Sequence, residues 1–145
     1  MRNLTFLSLF LFATASPALA SDISVTGAWS PPSLTETTTS GAVYFTLHNG
    51  GTTAVSLSGV STDVAEMAMA HATVVEDDVA KMVDLEGIAI APGTDFVFSP
   101  GKNHIMLMGL KKPLHEGDHF TLTLATQDGG TLPVDVTVQK QAPTP

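Results

Sequence analysis

The sequence predicts an all-β protein, built as a sandwich or barrel of short strands. After residue 20 the chain is rich in Val, Thr, Leu and Phe, and Gly, Pro and Asp-Gly turns interrupt it at short intervals. Strands that recur every 8–12 residues between such turns are typical of these two architectures. No internal repeat, linker or amphipathic helix is evident. We therefore expect one all-β sandwich domain in which no helix is longer than about two turns.

The predicted strands alternate apolar and polar residues and stop at turn residues. Residues 64–75 contain good helix formers, but their period-two alternation favours a strand. They form a predicted hairpin with residues 79–85 across an acidic turn, and the last two strands flank the sequence QDGG. Residues 139–145 are predicted to be a flexible tail. In chain order the predicted strands are 23–29, 42–49, 54–62, 64–75, 79–85, 93–101, 103–110, 119–126 and 132–140.

The first 20 residues have the pattern of a secretory signal peptide. Arg2 supplies a short positive region, Leu4 to Ala15 is apolar, and Ala18 to Ala20 has the small-x-small form of a cleavage site. The apolar run is shorter than the roughly 20 residues that span a bilayer. We therefore expect residues 1–20 to be removed and the exported chain to begin at Ser21, with no membrane span.

Composition excludes several classes of function. The chain has 14 acidic and six basic residues and a net charge of −8, so it offers nucleic acid no basic surface. It has no cysteine, which excludes thiolate metal sites, cysteine nucleophiles and thiol redox motifs. No Ser-His-Asp order, paired carboxylate motif or glycine-rich phosphate loop is present. We therefore expect a binding protein rather than an enzyme.

Methionine and histidine are concentrated in one part of the sequence. All five methionines after residue 20 fall between residues 67 and 108, whereas the other predicted strands use Leu, Val, Ile and Phe. In the segment HIMLM, His104, Met106 and Met108 are two residues apart, so they share one face of a strand. His71 lies in the same window.

The predicted hairpin also brings His71 close to a methionine on its second strand, Met82. If its turn is centred between Glu76 and Asp77, His71 and Met82 form a direct cross-strand pair, with Cβ atoms about 4.5–5.5 Å apart. Together with one face of the HIMLM strand, two imidazoles and two thioethers would then converge. A slip of one residue would turn His71 to the opposite face.

A set of thioethers and imidazoles favours copper. Thioether sulfur is soft and selects Cu(I), while imidazole suits copper in either oxidation state. A blue-copper electron-transfer site uses a Cys ligand, which this chain lacks. Methionine is also a good core filler, so a structural role for the cluster remains the alternative. Whether Met69 or Met108 joins the site is open.

The spacing His71-x10-Met82-x21-His104-x-Met106 resembles the H-x10-M-x21-H-x-M signature of the PCuAC family of periplasmic copper chaperones. The segments AWSPP, AVYFTLHN, VDLEGIAIAPG and FSPGKNHIMLMGLKKPLHEGD are also similar to that family, so the resemblance covers about residues 23–138. It implies a cupredoxin-like, Ig-like Greek-key β-sandwich over residues 21–138. It also implies one Cu(I) site, able to accept Cu(II), with His71, Met82, His104 and Met106 as ligands.

The same resemblance implies a periplasmic, monomeric copper chaperone. Its copper would pass toward the copper centres of cytochrome c oxidase, directly or through a thiol-containing assembly factor. Two other functions compete with this one. The first is an extracytoplasmic Ig-like interaction or assembly module whose methionines are only core, and the second is a small copper enzyme. His48, His115 and His119 lie outside the motif and are expected to be exposed to solvent.

Overall fold

The computed structural model describes residues 22–85 and 87–144, and this part of the chain is all-β, without a helix. The predicted signal peptide, residues 1–20, lies outside the described residues. No helix in the described part is therefore long and apolar enough to cross a bilayer. The ten strands are β1 (Ile23–Ser30), β2 (Ser40–Asn49), β3 (Val55–Thr62), β4 (Ala65–Glu76), β5 (Val79–Asp84), β6 (Ala89–Ile90), β7 (Asp95–Phe98), β8 (His104–Leu110), β9 (His119–Thr126) and β10 (Thr131–Val138).

The strands form a β-sandwich whose two layers share β2. One layer has the order β5-β4-β8-β2, and the other continues β2-β1-β10-β9-β3-β6, with β7 also paired to β2. Residues 40–43 of β2 pair with β8, whereas residues 45–48 pair with β7. Strand β2 therefore passes from one layer into the other. Only β1 and β10 pair in parallel among the described strands.

The core lies between the two layers and follows from the alternation of the strands. In β9 and β10, Leu122, Leu124 and Val136 are fully buried, while the residues between them are more exposed. In β8, Ile105 and Leu107 are fully buried in the same core. Because successive residues of a strand point to opposite faces, His104, Met106 and Met108 point to the outer face of their layer, whereas Leu110 at the end of β8 is part of the core.

Most of the predicted strands are confirmed. The segment with helix-forming residues is a strand, β4, because its alternation lets it pair with both β5 and β8. The two-residue strand β6 was not predicted, since two residues are too few to show a period. The flexible tail stays a prediction, and the structure places residues 142–144 against β1, where they line a cavity with Gly27 and Trp29.

Truncating the core beneath the outer face should cost much more stability than truncating an exposed side chain. Leu107 is 0% exposed, so Leu107→Ala should lower the free energy of unfolding by about 2–5 kcal/mol through lost contacts and a cavity. Leu34 is 94% exposed, so Leu34→Ala should change it little. Urea unfolding of the two variants measures both values, and equal losses would contradict this core.

Candidate metal centre

Strands β4 and β8 bring the histidines and methionines into register. Across this antiparallel pair His71 lies opposite His104, Met69 opposite Met106, and Met67 opposite Met108. Directly opposed residues of an antiparallel pair lie on the same face of the sheet. One imidazole pair and two thioether pairs therefore form a ladder on the outer face, which is the face opposite to Ile105 and Leu107 in the core.

The predicted direct pairing of His71 with Met82 is wrong. The structure pairs His71 with Asp84 and Thr73 with Met82. The reason is the turn: Asp77 and Asp78 both have positive φ, 50° and 62°, as the two central residues of a type I′ turn require. Asp tolerates this conformation better than most residues. The hairpin therefore closes at Glu76 and Val79.

This register differs from the predicted one by two residues, which preserves the face. Met82 lies on the same side of the layer as His71, two cross-strand pairs nearer the turn. Diagonal neighbours of this kind are about 7–8 Å apart, within reach of a long side chain such as Met. The structure thus places Met82 on the same face as His71, as a diagonal rather than a direct neighbour.

The imidazole of His71 is buried and is held by a carboxylate. His71 is 8% exposed, and its Nε2 lies 2.7 Å from Oδ1 of Asp84. Its other ring nitrogen, Nδ1, is buried and has no hydrogen-bond partner among the described residues. An unpaired buried polar atom is costly, so this nitrogen is a candidate ligand atom.

The imidazole of His104 is held through the opposite ring nitrogen. Nδ1 of His104 lies 3.1 Å from the carbonyl oxygen of Lys102 and donates to it, which leaves Nε2 free of that bond. The rings of His71 and His104 meet edge to face, with centroids 5.7 Å apart and planes at 81°. Since a metal–imidazole bond is about 2 Å long, two rings on one metal can have centroids up to about 6 Å apart.

Three of the four predicted ligands line one open cavity. Met82, His104 and Met106 share a cavity of about 380 Å³ with the loop between β1 and β2, including Leu34. His71 is not part of its lining and lies beside it, against the ring of His104. Met82 is 60% exposed. The donors at this place are neutral nitrogen and sulfur atoms, and the sulfur side is open to solvent.

The remaining histidines lie elsewhere and bind carboxylates at the surface. His48 contacts Asp95 at 2.6 Å, and His115 contacts Glu36 at 3.2 Å. His119 is also exposed, near Asp135. Among the described residues, no group of three His, Asp or Glu side chains is arranged to hold a metal ion.

The sequence reasoning missed Asp84. Its signal was present, because Asp84 is two residues from Met82 and therefore shares its face of β5. A register centred one residue earlier, between Glu76 and Asp77, would instead place Asp84 opposite Met69, away from His71. Met69, left open above, lies directly opposite Met106, whereas Met108 is two residues further from the histidine pair.

The fold and the donor set define a class of protein: a β-sandwich with a histidine–methionine face. A family model described as "Putative lipoprotein LpqE-like" matches residues 23–138. The chain belongs to this LpqE-like family, which is related to the PCuAC domains.

Two curated relatives support this membership. "Putative lipoprotein Lxx21020" of Leifsonia xyli subsp. xyli is 34% identical over 99 residues, covering 68% of this chain and 60% of the relative. "Uncharacterized protein RP573" of Rickettsia prowazekii is 34% identical over 103 residues, covering 70% and 57%. The chain thus spans about three fifths of the length of these curated relatives.

Solved structures share the fold. The solution structure of CuI-DR1885 from Deinococcus radiodurans is 32% identical, with a TM-score of 0.59 over 84% of this chain and 83% of that one. Apo-DR1885 is 30% identical, with a TM-score of 0.65 over 97% and 95%. The copper-bound PCuAC domain from PmoF2, at 19% identity and a TM-score of 0.68 over 83% and 94%, is similar in fold.

The hairpin register can be tested by cross-linking, because the chain has no cysteine of its own. Val75 lies opposite Ala80, so Val75→Cys/Ala80→Cys should form a disulfide under mild oxidation, since directly opposed Cα atoms are within the range a disulfide spans. Val75→Cys/Asp78→Cys is the matched control, since a turn centred between Glu76 and Asp77 would oppose those two residues. Mass spectrometry before and after reduction distinguishes the two registers, and cross-linking of the control pair alone would contradict the observed one.

Proposed function

We propose that this protein is an extracytoplasmic copper chaperone that holds one Cu(I) ion through His71, Met82, His104 and Met106. One observation carries the proposal. The β4–β8 register sets the two imidazoles side by side, with Met106 and Met82 on the same outer face. Two neutral nitrogens and two soft sulfurs are a donor set that favours Cu(I).

The exposure of the site supports carriage and release rather than catalysis. Met82 is on β5, an edge strand whose six residues are all exposed. A ligand at an edge is accessible to the donor atoms of a partner protein, so an ion can be exchanged without opening the core. Enzymes instead enclose their reacting groups and exclude water. No enzymatic activity is part of this proposal.

The comparisons support copper as the cargo and an extracytoplasmic location. DR1885, one of whose structures is the Cu(I) form, is 32% identical to this chain, and the family model and one relative are described as lipoproteins. We further propose that the protein acts in the periplasm and passes copper toward the copper centres of cytochrome c oxidase, directly or through a thiol-containing assembly factor. The same site would also accept Cu(II), since imidazole binds copper in either oxidation state.

The competing function is an Ig-like interaction module whose methionines only fill the core. Two observations weigh against it: Met67 is 53% exposed and Met82 is 60% exposed. Neither methionine fills a gap in the core, and exposed thioether groups contribute little to stability. This alternative predicts that the protein has no affinity for Cu(I).

Replacing either sulfur ligand should weaken copper binding while leaving the fold intact. Met82→Leu and Met106→Leu nearly conserve volume, and such swaps usually cost less than about 1.5 kcal/mol of stability. Each change removes one thioether and should reduce Cu(I) affinity severalfold or more. Anaerobic Cu(I) titration against a competing chelator measures the affinity, and thermal unfolding measures the stability.

Met67→Leu is the matched control for this experiment. Met67 is also exposed and lies on the same face, but it is opposite Met108, four residues along β4 from His71. We expect the Met67→Leu variant to bind Cu(I) with the same affinity as the wild-type protein. If Cu(I) affinity is unchanged in Met82→Leu, Met106→Leu and His104→Ala alike, the proposed chaperone function is wrong and the interaction module remains.

Metal choice should follow ligand softness. The protein should bind one Cu(I) tightly and Zn(II) poorly, because thioethers contribute little to Zn(II). His104→Ala should weaken Cu(II) binding more than either methionine variant does, since imidazole serves both oxidation states. Competition titrations with each ion measure these preferences. Tight Zn(II) binding that does not respond to His104→Ala would contradict this site.

A further inference from the structure

Each of the two site histidines has one ring nitrogen engaged by an oxygen, and the engaged nitrogen differs between them. In His71 it is Nε2, 2.7 Å from Oδ1 of Asp84. In His104 it is Nδ1, 3.1 Å from the carbonyl oxygen of Lys102. The free nitrogens are therefore Nδ1 of His71 and Nε2 of His104.

The partner of His71 determines where its ring proton lies. An ionised carboxylate can accept a proton but not donate one, so the approach of Oδ1 of Asp84 to within 2.7 Å of Nε2 favours the tautomer of His71 that carries its proton on Nε2. In a neutral imidazole the other nitrogen then has a lone pair and no proton. That nitrogen, Nδ1, is buried and has no partner among the described residues, so its lone pair is available to a ligand.

We propose that Asp84 is a positioning residue that fixes His71 so that it binds the metal through Nδ1, while His104 binds through Nε2. This inference rests on the proposed copper site. Histidines that bind metals almost always donate their second ring N–H to a carboxylate or a backbone carbonyl, which fixes the ring orientation and increases ligand basicity. Asp84 and Lys102 supply one partner of each kind.

The location of Asp84 links the two ligands of the β4–β5 hairpin. Asp84 lies directly opposite His71 and two residues from Met82, on the same face of β5. The pairing of β5 with β4 therefore sets the position of Met82 and the orientation of the His71 ring together. If His71 bound through Nε2 instead, Asp84 would have to give up its 2.7 Å contact with that nitrogen.

Nitrogen-15 NMR of the imidazole rings tests this assignment with and without metal. In the metal-free protein, long-range proton–nitrogen spectra should show His71 protonated at Nε2 and His104 protonated at Nδ1. On addition of Cu(I), which is diamagnetic, the largest nitrogen shifts should occur at Nδ1 of His71 and Nε2 of His104. A shift at Nε2 of His71 would overturn the proposal while leaving the copper site itself intact.

Variants at Asp84 separate positioning from a general structural role. Asp84→Leu removes the acceptor and should reduce Cu(I) affinity by about 10–100-fold, the usual effect of losing such a partner, with a mixture of His71 ring tautomers in the metal-free protein. Asp84→Asn keeps an acceptor oxygen and should retain most of the affinity and the tautomer. Because the Asp84 side chain is 60% exposed, both variants should fold, which thermal unfolding checks.

Asp95→Leu is the matched control, because Asp95 holds His48 at 2.6 Å in a similar pair away from the site. It should change neither Cu(I) affinity nor the His71 tautomer. Wild-type affinity and an unchanged His71 tautomer in Asp84→Leu would overturn the proposal. If the wild-type protein bound no Cu(I) at all, the proposed function would fail, and the metal-binding part of this inference would fail with it.

Discussion

The antiparallel pairing of β4 with β8 is the constraint on which the rest of the site depends. This single register sets His71 opposite His104 and Met69 opposite Met106. The same alternation that sends Ile105 and Leu107 into the core sends the nitrogen and sulfur donors outward. The donor face and the hydrophobic core are thus specified together, and a slip of one residue in β8 would lose both.

A second constraint, the tight turn of the β4–β5 hairpin, completes the arrangement. The positive φ angles of Asp77 and Asp78 close the hairpin at Glu76 and Val79. That closure places Asp84, rather than Met82, directly opposite His71. The buried imidazole thereby gains an anionic partner, and the thioether of Met82 reaches the site along the diagonal from an exposed strand.

Much of the fold followed from the sequence, because period-two alternation and turn residues are local signals. They identified β4 as a strand despite its alanines and methionines, and they put His104 and Met106 on one face. The hairpin register could not be derived in the same way. That register depends on whether two successive Asp residues adopt positive φ, and the alternation of apolar and polar residues carries no information about φ. The close contact between His71 and Asp84 was missed for that reason.

The edge position of β5 has a consequence for how an ion could leave. In the described part of the chain β5 pairs with β4 alone, and all six of its residues are exposed. Strands with few buried contacts open locally at far less cost than the whole domain. Fraying of β5 would move the Met82 sulfur and the Asp84 carboxylate away from the site together. His71 and His104 would keep their positions, because β4 and β8 would stay paired. The dissociation rate of the bound ion would then be set by the local unfolding of one edge strand.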